Sequence, residues 1–277
     1  MTLSVRNNFF RGGIVLAAFS LVVLAAGGYF AFGSYPAILG STAMRSQGLI
    51  QKLVVKLANP SAYVSLWSML GAVVYSLVSI TLIYYFFEKT QSPEILFFSF
   101  FVISLSFEFA RIIIPLKMVF PLPSVFLITA ARVLLFGRYF GLFSLFAAAI
   151  YSSGLDSQKQ ETFFFMLVLS ALIIAFNVPI DSLVWDSSLK MLNGYSTMFT
   201  MVEAGIFLIT IITFLISAFT RGSKSYLIIG LGVFMAYAGR NILLTSDTWI
   251  TPLPGLLLLL AGTWLTCAFL HREYLWL

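Results

Sequence analysis

The stretch at residues 95–115, ILFFSFFVISLSFEFARIIIP, decides the fold class of this chain. It is long enough to cross a bilayer as an α-helix, which takes about 20 apolar residues. Yet it carries Glu108 and Arg111. Because a charge at membrane depth costs at least about 3 kcal/mol, each should face protein or water and have a partner. The stretch therefore predicts a membrane-spanning helix whose charged face is turned toward the inside of a helical bundle.

The composition extends this interpretation to the whole chain. Of the 277 residues, 60% are hydrophobic, 17% are aromatic and only 9% are charged, and the mean hydropathy is +1.01. Soluble domains carry about 25% charged residues, so a water-soluble fold is excluded. No polar stretch is long enough for a separate soluble domain, and residues 1–277 are therefore treated as one transmembrane domain.

Apolar segments of spanning length recur along the sequence, separated by short turns rich in Pro, Ser or Gly. We predict an all-α, polytopic integral membrane bundle of eight transmembrane helices. The predicted spans are residues 13–33, 62–87, 95–115, 124–147, 162–179, 196–220, 226–244 and 253–270.

Two segments near the N-terminus have alternative interpretations. Residues 46–58 carry apolar side chains at helical spacing, which predicts an amphipathic helix on the outer membrane surface; a packed re-entrant segment is the alternative. The first span also resembles a secretory signal peptide, whose cleavage would leave seven helices. We favour an uncleaved anchor, because the apolar run continues through residues 29–32.

The distribution of basic residues predicts the orientation. Cytoplasmic loops carry an excess of Lys and Arg. With the N-terminus inside, the outer loops after the first hold only Lys117 and Lys190, although the first outer loop opposes this trend. The predicted inner segments hold Arg6, Arg11, Lys89, Lys159, Arg221, Lys224 and Arg272. We therefore expect both termini in the cytoplasm and a location in a bacterial inner (plasma) membrane.

Most intramembrane charges fall at one depth. At 1.5 Å per helical residue, five of them lie about 6 to 12 Å below the outer boundary, and Arg138 lies about one and a half turns deeper. The five are Glu108, Arg111, Arg132, Glu203 and Arg240. Helical spacing also places Tyr237 and Asn241 beside Arg240. These eight residues predict one polar chamber in the outer half of the bundle.

The charged layer has a structural and a functional interpretation. In the structural one, Glu108 pairs with Arg132 and Glu203 pairs with Arg240, and the pairs only hold helices together. However, arginines outnumber glutamates, and a guanidinium binds carboxylate or phosphate in a bidentate manner. The excess favours an anionic or lipid-like ligand.

Several functions are disfavoured by residue type. The single Cys267 and single His271 exclude an internal disulfide and multi-histidine or multi-thiolate metal centres. We expect no cofactor and no metal. The net charge of +6 is expected to serve topology and contact with anionic lipids of the bilayer, not nucleic acid.

Three classes of function remain. The first is a sensor or accessory subunit that binds an anionic lipid or a small anion. It would need a partner membrane or signalling protein, because no output domain follows the last span. Its helix count and orientation are similar to those of helical sensor domains of bacterial receptors, although no motif names a family. The second is a transporter of a small anionic or amphipathic solute. The third is an enzyme acting on lipid-linked substrates, with Glu108, Glu203, Asp181 or Asp186 as acid or base.

Overall fold

The architecture was obtained from a computed structural model, which describes residues 3–34, 57, 60–90, 92–155, 159–180 and 184–275. Nine α-helices and one 3-10 helix lie within these ranges. In chain order they are α1 (Leu3–Ser34), α2 (Ala62–Phe87), α3 (Pro93–Ser104), the 3-10 helix (Leu105–Ile112), α4 (Ile113–Val119), α5 (Ser124–Ser152), α6 (Gln160–Asn177), α7 (Ser196–Thr220), α8 (Ser225–Leu244) and α9 (Pro252–Leu275).

The predicted fold class is confirmed. The described residues contain eight helical segments long and apolar enough to cross a membrane, and the chain is an integral membrane protein of the all-α class. The third of these segments, here called the third span (Pro93–Val119), combines α3, the 3-10 helix and α4. The predicted surface helix at 46–58 lies outside the described residues, apart from residue 57.

The first helix begins ten residues earlier than the predicted span. Arg6 lies inside α1 and is only 4% exposed. Its Nη2 donates hydrogen bonds to the main-chain oxygens of Phe87 (2.8 Å) and Glu88 (2.7 Å) at the end of α2. The guanidinium thus satisfies carbonyls that a helix C-terminus leaves without partners. This contact allows the helix to start before its apolar run.

The third span continues to Val119, past the predicted end at Pro115, and changes its winding on the way. Proline has no N–H and its ring clashes with the carbonyl four residues earlier, so it disfavours a regular α-helix just before it. Here that region is the 3-10 helix, which contains Glu108 and Arg111. Because side chains three residues apart eclipse in a 3-10 helix, these two groups lie on the same side.

The third span and α5 form the centre of the bundle. The third span is the most buried of the eight segments, and α5 packs against α3, the 3-10 helix, α6 and α7. At the periphery, α6 and α7 have the smallest buried shares. The central helices therefore carry the buried charges, while α7 is attached to the bundle by one face.

Helices α8 and α9 form the closest pair in the described bundle. A Cβ atom placed on Gly239 would lie 2.6 Å from the main-chain nitrogen of Leu259 and 2.7 Å from the carbonyl oxygen of Gly255. Gly232 and Gly262 meet in the same way one heptad away. Small residues at such a crossing allow the two backbones to touch, as in other membrane helix pairs. Gly232 and Gly239 of α8 thus allow its close contact with α9.

A loop at residues 184–195, here called the cap loop, covers one end of the bundle, the cap end. Asp186 organises it: its Oδ1 accepts hydrogen bonds from the main-chain nitrogens of Ser188 (3.0 Å) and Lys190 (2.9 Å). Ser187 donates to Oδ2 of Asp247 in the α8–α9 connection (2.7 Å). The cap loop is therefore a fixed structure tied to its neighbours.

Candidate functional site

Glu108 is the centre of the buried charge cluster. It is 3% exposed, and its two carboxylate oxygens contact two guanidiniums. Nη1 of Arg111 lies 3.3 Å from Oε2, and Nε of Arg138 lies 3.4 Å from Oε1. One carboxylate thus serves two cations, so the cluster carries an excess positive charge.

Arg111 connects this cluster to the cap loop. It is fully buried; its Nε donates to the carbonyl oxygen of Leu189 (3.3 Å) and its Nη2 to that of Ser188. Leu189 has φ of 55°, the left-handed region that non-glycine residues rarely adopt. The guanidinium of Arg111 therefore stabilises an unusual backbone turn. The role of Arg111 is to position the cap loop.

The predicted pairing of Glu108 with Arg132 is wrong. Arg132 places its guanidinium carbon 4.9 Å from the ring centroid of Phe176 on α6. Six residues of α-helix turn a side chain by about 240° relative to its starting direction, so Arg132 and Arg138 face different neighbours. Depth along a helix, on which the pairing was based, does not fix this angle.

The predicted pairing of Glu203 with Arg240 also does not occur as a direct ion pair between these two residues. Nη2 of Arg240 instead donates to the main-chain oxygen of Arg138 (2.9 Å), and Glu203 lies beside the hydroxyl of Tyr139. Arg240 is 5% exposed, and its guanidinium carbon lies 6.0 Å from the ring centroid of Phe101. Its charge is therefore stabilised by a carbonyl dipole and an aromatic ring.

Five of the eight predicted site residues line one cavity between α7 and α8, here called the α7–α8 cavity, with a volume of about 520 Å³. They are Arg138, Glu203, Tyr237, Arg240 and Asn241. Glu108 and Arg111 lie behind this wall, joined to it through Arg138. Arg132 is not part of the lining.

Lys190 also lines the cavity, although it was not among the predicted site residues. It belongs to the cap loop, and nothing in its local sequence marks it as different from a solvated loop lysine. The Arg138 guanidinium, aided by burial, lowers the pKa of Lys190 to about 8, although Glu203, Asp186 and Glu108 oppose the shift. Lys190 therefore brings a third basic group to the cavity.

The cavity has an excess of positive charge. Arg138, Lys190 and Arg240 line it together with one carboxylate, Glu203. Nη2 of Arg138 is buried and has no hydrogen-bond partner among the described residues. Buried polar groups are nearly always hydrogen-bonded. This nitrogen is therefore an exception among the described residues.

Aromatic contacts close the middle of the cavity wall. Phe207 of α7 stacks on Tyr237 of α8, with 3.9 Å between ring centroids and 17° between planes. Phe234 lies 6.0 Å from Phe207. These rings connect α7 to α8 beside the cavity.

The chemistry available in the cavity is that of guanidinium, ammonium, carboxylate and hydroxyl groups. In the part of the chain that the structure describes, no three His, Cys, Asp or Glu side chains gather to hold a metal ion. Comparisons of the chain with protein families, with curated proteins and with solved structures found no match.

Proposed function

We propose that this integral membrane protein binds an anionic or lipid-like ligand in the α7–α8 cavity and acts as a sensor or accessory subunit for a partner membrane or signalling protein. The observation that carries the proposal is the convergence of Arg138, Lys190 and Arg240 on one cavity of about 520 Å³. Ligand sites typically have volumes of about 300–1,000 Å³ with a few convergent polar groups.

The charge balance favours a ligand over a purely structural role. Glu108 is already shared between Arg111 and Arg138, and Arg240 contacts a carbonyl oxygen in place of a carboxylate. An uncompensated buried charge is costly, and a guanidinium stays protonated when it is buried. An anion in the cavity would compensate the surplus positive charge of Arg138, Lys190 and Arg240.

A transporter is the second candidate, and the third span favours it. Transport proteins commonly build their sites from helices that are interrupted within the membrane. The 3-10 helix Leu105–Ile112 is such an interruption, and it carries Glu108. Uptake of an anion into sealed proteoliposomes that contain only this protein would favour the transporter, whereas binding without uptake would favour the sensor or accessory subunit.

We also propose that the cap end faces the outside and that both termini lie in the cytoplasm of a bacterium. The support is the positive-inside distribution of Lys and Arg. Ser124 and Ser153 are exposed at the two ends of α5. In a Cys267→Ser background, an impermeant thiol reagent should label Ser124→Cys but not Ser153→Cys in intact cells. The reverse pattern would invert the topology.

Thermal unfolding of the purified protein in a neutral detergent tests the binding proposal. Phosphatidic acid or glycerol phosphate should raise the melting temperature of the wild type, and Arg138→Gln should abolish the shift. Arg132→Gln is the matched control, since it removes a guanidinium from the same helix outside the cavity. Lys190→Gln is a second variant that leaves the Glu108 ion pairs in place and should also reduce the shift.

The proposal fails if no anionic phosphate stabilises the wild type. It also fails if Arg132→Gln removes the stabilisation as completely as Arg138→Gln and Lys190→Gln do. In that case the arginines serve only to hold the bundle together.

A further inference from the structure

The lining of the α7–α8 cavity changes from polar to apolar along the bundle axis. On α7, starting from the cap end, the lining residues are first Thr200 and Glu203 and then Phe207, Leu208 and Ile211. Eleven helical residues separate the first from the last, which corresponds to about 16 Å. The cavity is therefore elongated along the axis, with its polar part near the cap end.

Helix α8 shows the same gradient from the opposite side. Its basic lining residue Arg240 lies toward the cap end, and Phe234 lies nearly two turns farther from it. Consecutive helices run in opposite directions. The polar residues of α8 therefore lie opposite the polar residues of α7, and the aromatic residues of α8 lie opposite the aromatic residue of α7. Both helices therefore give the cavity a polar end near the cap end and an apolar end farther from it.

The apolar end is open on the side of the bundle. Leu208 is 62% exposed and Phe234 is 50% exposed, and both line the cavity. They belong to membrane-spanning segments, where an outward-facing side chain meets hydrocarbon, since no water is present in the bilayer core. The apolar end of the cavity is therefore continuous with the lipid phase.

We propose that the ligand of the α7–α8 cavity is an anionic amphiphile that enters sideways from the bilayer between α7 and α8. Its headgroup lies among Arg138, Lys190 and Arg240. One of its hydrocarbon chains lies along Phe207, Leu208 and Phe234. The inference rests on the proposed function and narrows the ligand class, because a soluble anion would leave the apolar half of the cavity without a partner.

The orientation of such a ligand matches that of a bilayer lipid. The headgroup would lie near the cap end, and the chain would point toward the middle of the membrane. The headgroup charge would compensate the surplus cations, and the phosphate or carboxylate oxygens would accept hydrogen bonds from the guanidiniums. The stacked Phe207 and Tyr237 lie where headgroup and chain meet.

The test compares three phosphates that share a headgroup and differ in chains: glycerol phosphate with none, lysophosphatidic acid with one, and phosphatidic acid with two. Each is titrated against the full-length protein in phosphatidylcholine nanodiscs, and thermal stability is the readout. We expect the two amphiphiles to stabilise the wild type at concentrations at least tenfold lower than glycerol phosphate. The stabilisation by all three should depend on Arg138 and Lys190.

A pair of substitutions on α7 tests the path of the chain. Leu208→Trp fills the apolar half of the cavity and should weaken the binding of the two amphiphiles about tenfold. The stabilisation by glycerol phosphate should not change. Ile209→Trp is the matched control, because Ile209 is 52% exposed at the same depth but does not line the cavity. Lysophosphatidic acid with a photoactivatable group at the end of its chain should cross-link to α7 or α8.

The outcomes separate the two proposals. If glycerol phosphate binds as tightly as the amphiphiles and still depends on Arg138 and Lys190, or if Leu208→Trp behaves as Ile209→Trp does, the lateral-entry inference is wrong and the anion site stands. If no phosphate stabilises the protein through these basic residues, the proposed function itself is wrong.

Discussion

Arg240 donates a hydrogen bond from Nη2 to the main-chain oxygen of Arg138 at 2.9 Å. This contact joins α8 to α5 at the position where the side chain of Arg138 leaves its helix for Glu108. A carbonyl oxygen satisfies one donor of a guanidinium but does not neutralise its charge. The two arginines are therefore held next to each other, while among the described residues only Arg138 forms an ion pair with a carboxylate.

Loss of Glu108 should destabilise the bundle strongly. In Glu108→Gln, the buried Arg111 and the partly buried Arg138 both remain charged without the carboxylate that they share, which we expect to cost about 3–5 kcal/mol of unfolding free energy. The double variant Glu108→Gln/Arg138→Gln should cost less than the two single changes combined, since it removes one of the orphaned charges. Denaturant unfolding of the four proteins in one detergent measures this coupling. Strictly additive losses would contradict the shared ion pair.

The cap loop should require an arginine at position 111 to hold its conformation, and a lysine there should not replace it. Lys has one point charge and lacks the planar fork that reaches the carbonyls of Ser188 and Leu189 together with Glu108. Arg111→Lys should therefore keep the bundle folded but increase amide hydrogen exchange in residues 184–195. In Arg132→Lys, exchange in this loop should not change. Equal exchange in the two variants would show that Arg111 does not hold the loop.

The sequence predicted the fold class and most helix ends because both follow from local properties. Apolar length defines a span, and turn residues such as Pro123 and Gly222 lie between spans. The start of the first helix was predicted ten residues too late, because a charged side chain near it has partners elsewhere in the fold. This side chain is Arg6, whose guanidinium contacts the end of α2.

The grouping of charged residues was predicted only in part, for a geometric reason. The depth of a residue follows from its distance to a helix end, so Glu203 and Arg240 could be expected near one another, whereas Arg138 was expected about one and a half turns deeper. The direction of a side chain around its helix depends on how the helices are rotated against each other, and this separates Arg132 from Glu108. Lys190 could not be found by either criterion, because it lies in a loop.

The close contact of α8 with α9 predicts opposite effects of the same substitution at two glycines. Gly239→Ala would place a methyl group against the backbone of Leu259 and Gly255 and should lower stability, by about 1–3 kcal/mol, as overpacking does. Gly205→Ala on α7 meets open space and should be neutral or stabilising by about 0.5–1 kcal/mol. Thermal melts of both variants provide the comparison. A stabilising Gly239→Ala would contradict the packing described for this pair.

The last prediction concerns the pH dependence that Lys190 confers. The neighbouring Arg138 lowers the pKa of Lys190 from 10.5 to about 8. The folded protein therefore binds fewer protons than the unfolded chain between pH 8 and 10.5, and this contribution to stability rises across that window. This stabilising contribution is fully present above the pKa that Lys190 has in the unfolded chain. It is lost as the pH falls through the pKa that Lys190 has in the folded protein. Below that pH the ammonium is charged beside Arg138, which is the state in which an anion would bind.

Amine labelling measures this titration directly. Quantitative mass spectrometry of Lys190 after brief acetylation should show half-maximal reactivity near pH 8 in the folded protein, and at a higher pH after denaturation. Arg138→Gln should move the folded midpoint upward, because it removes the largest cause of the shift. Phosphatidic acid should also move it upward, since an anion favours the ammonium form. A midpoint that is the same in folded wild type, Arg138→Gln and denatured protein would show that Lys190 does not face Arg138, and the cavity would lose one of its three basic groups.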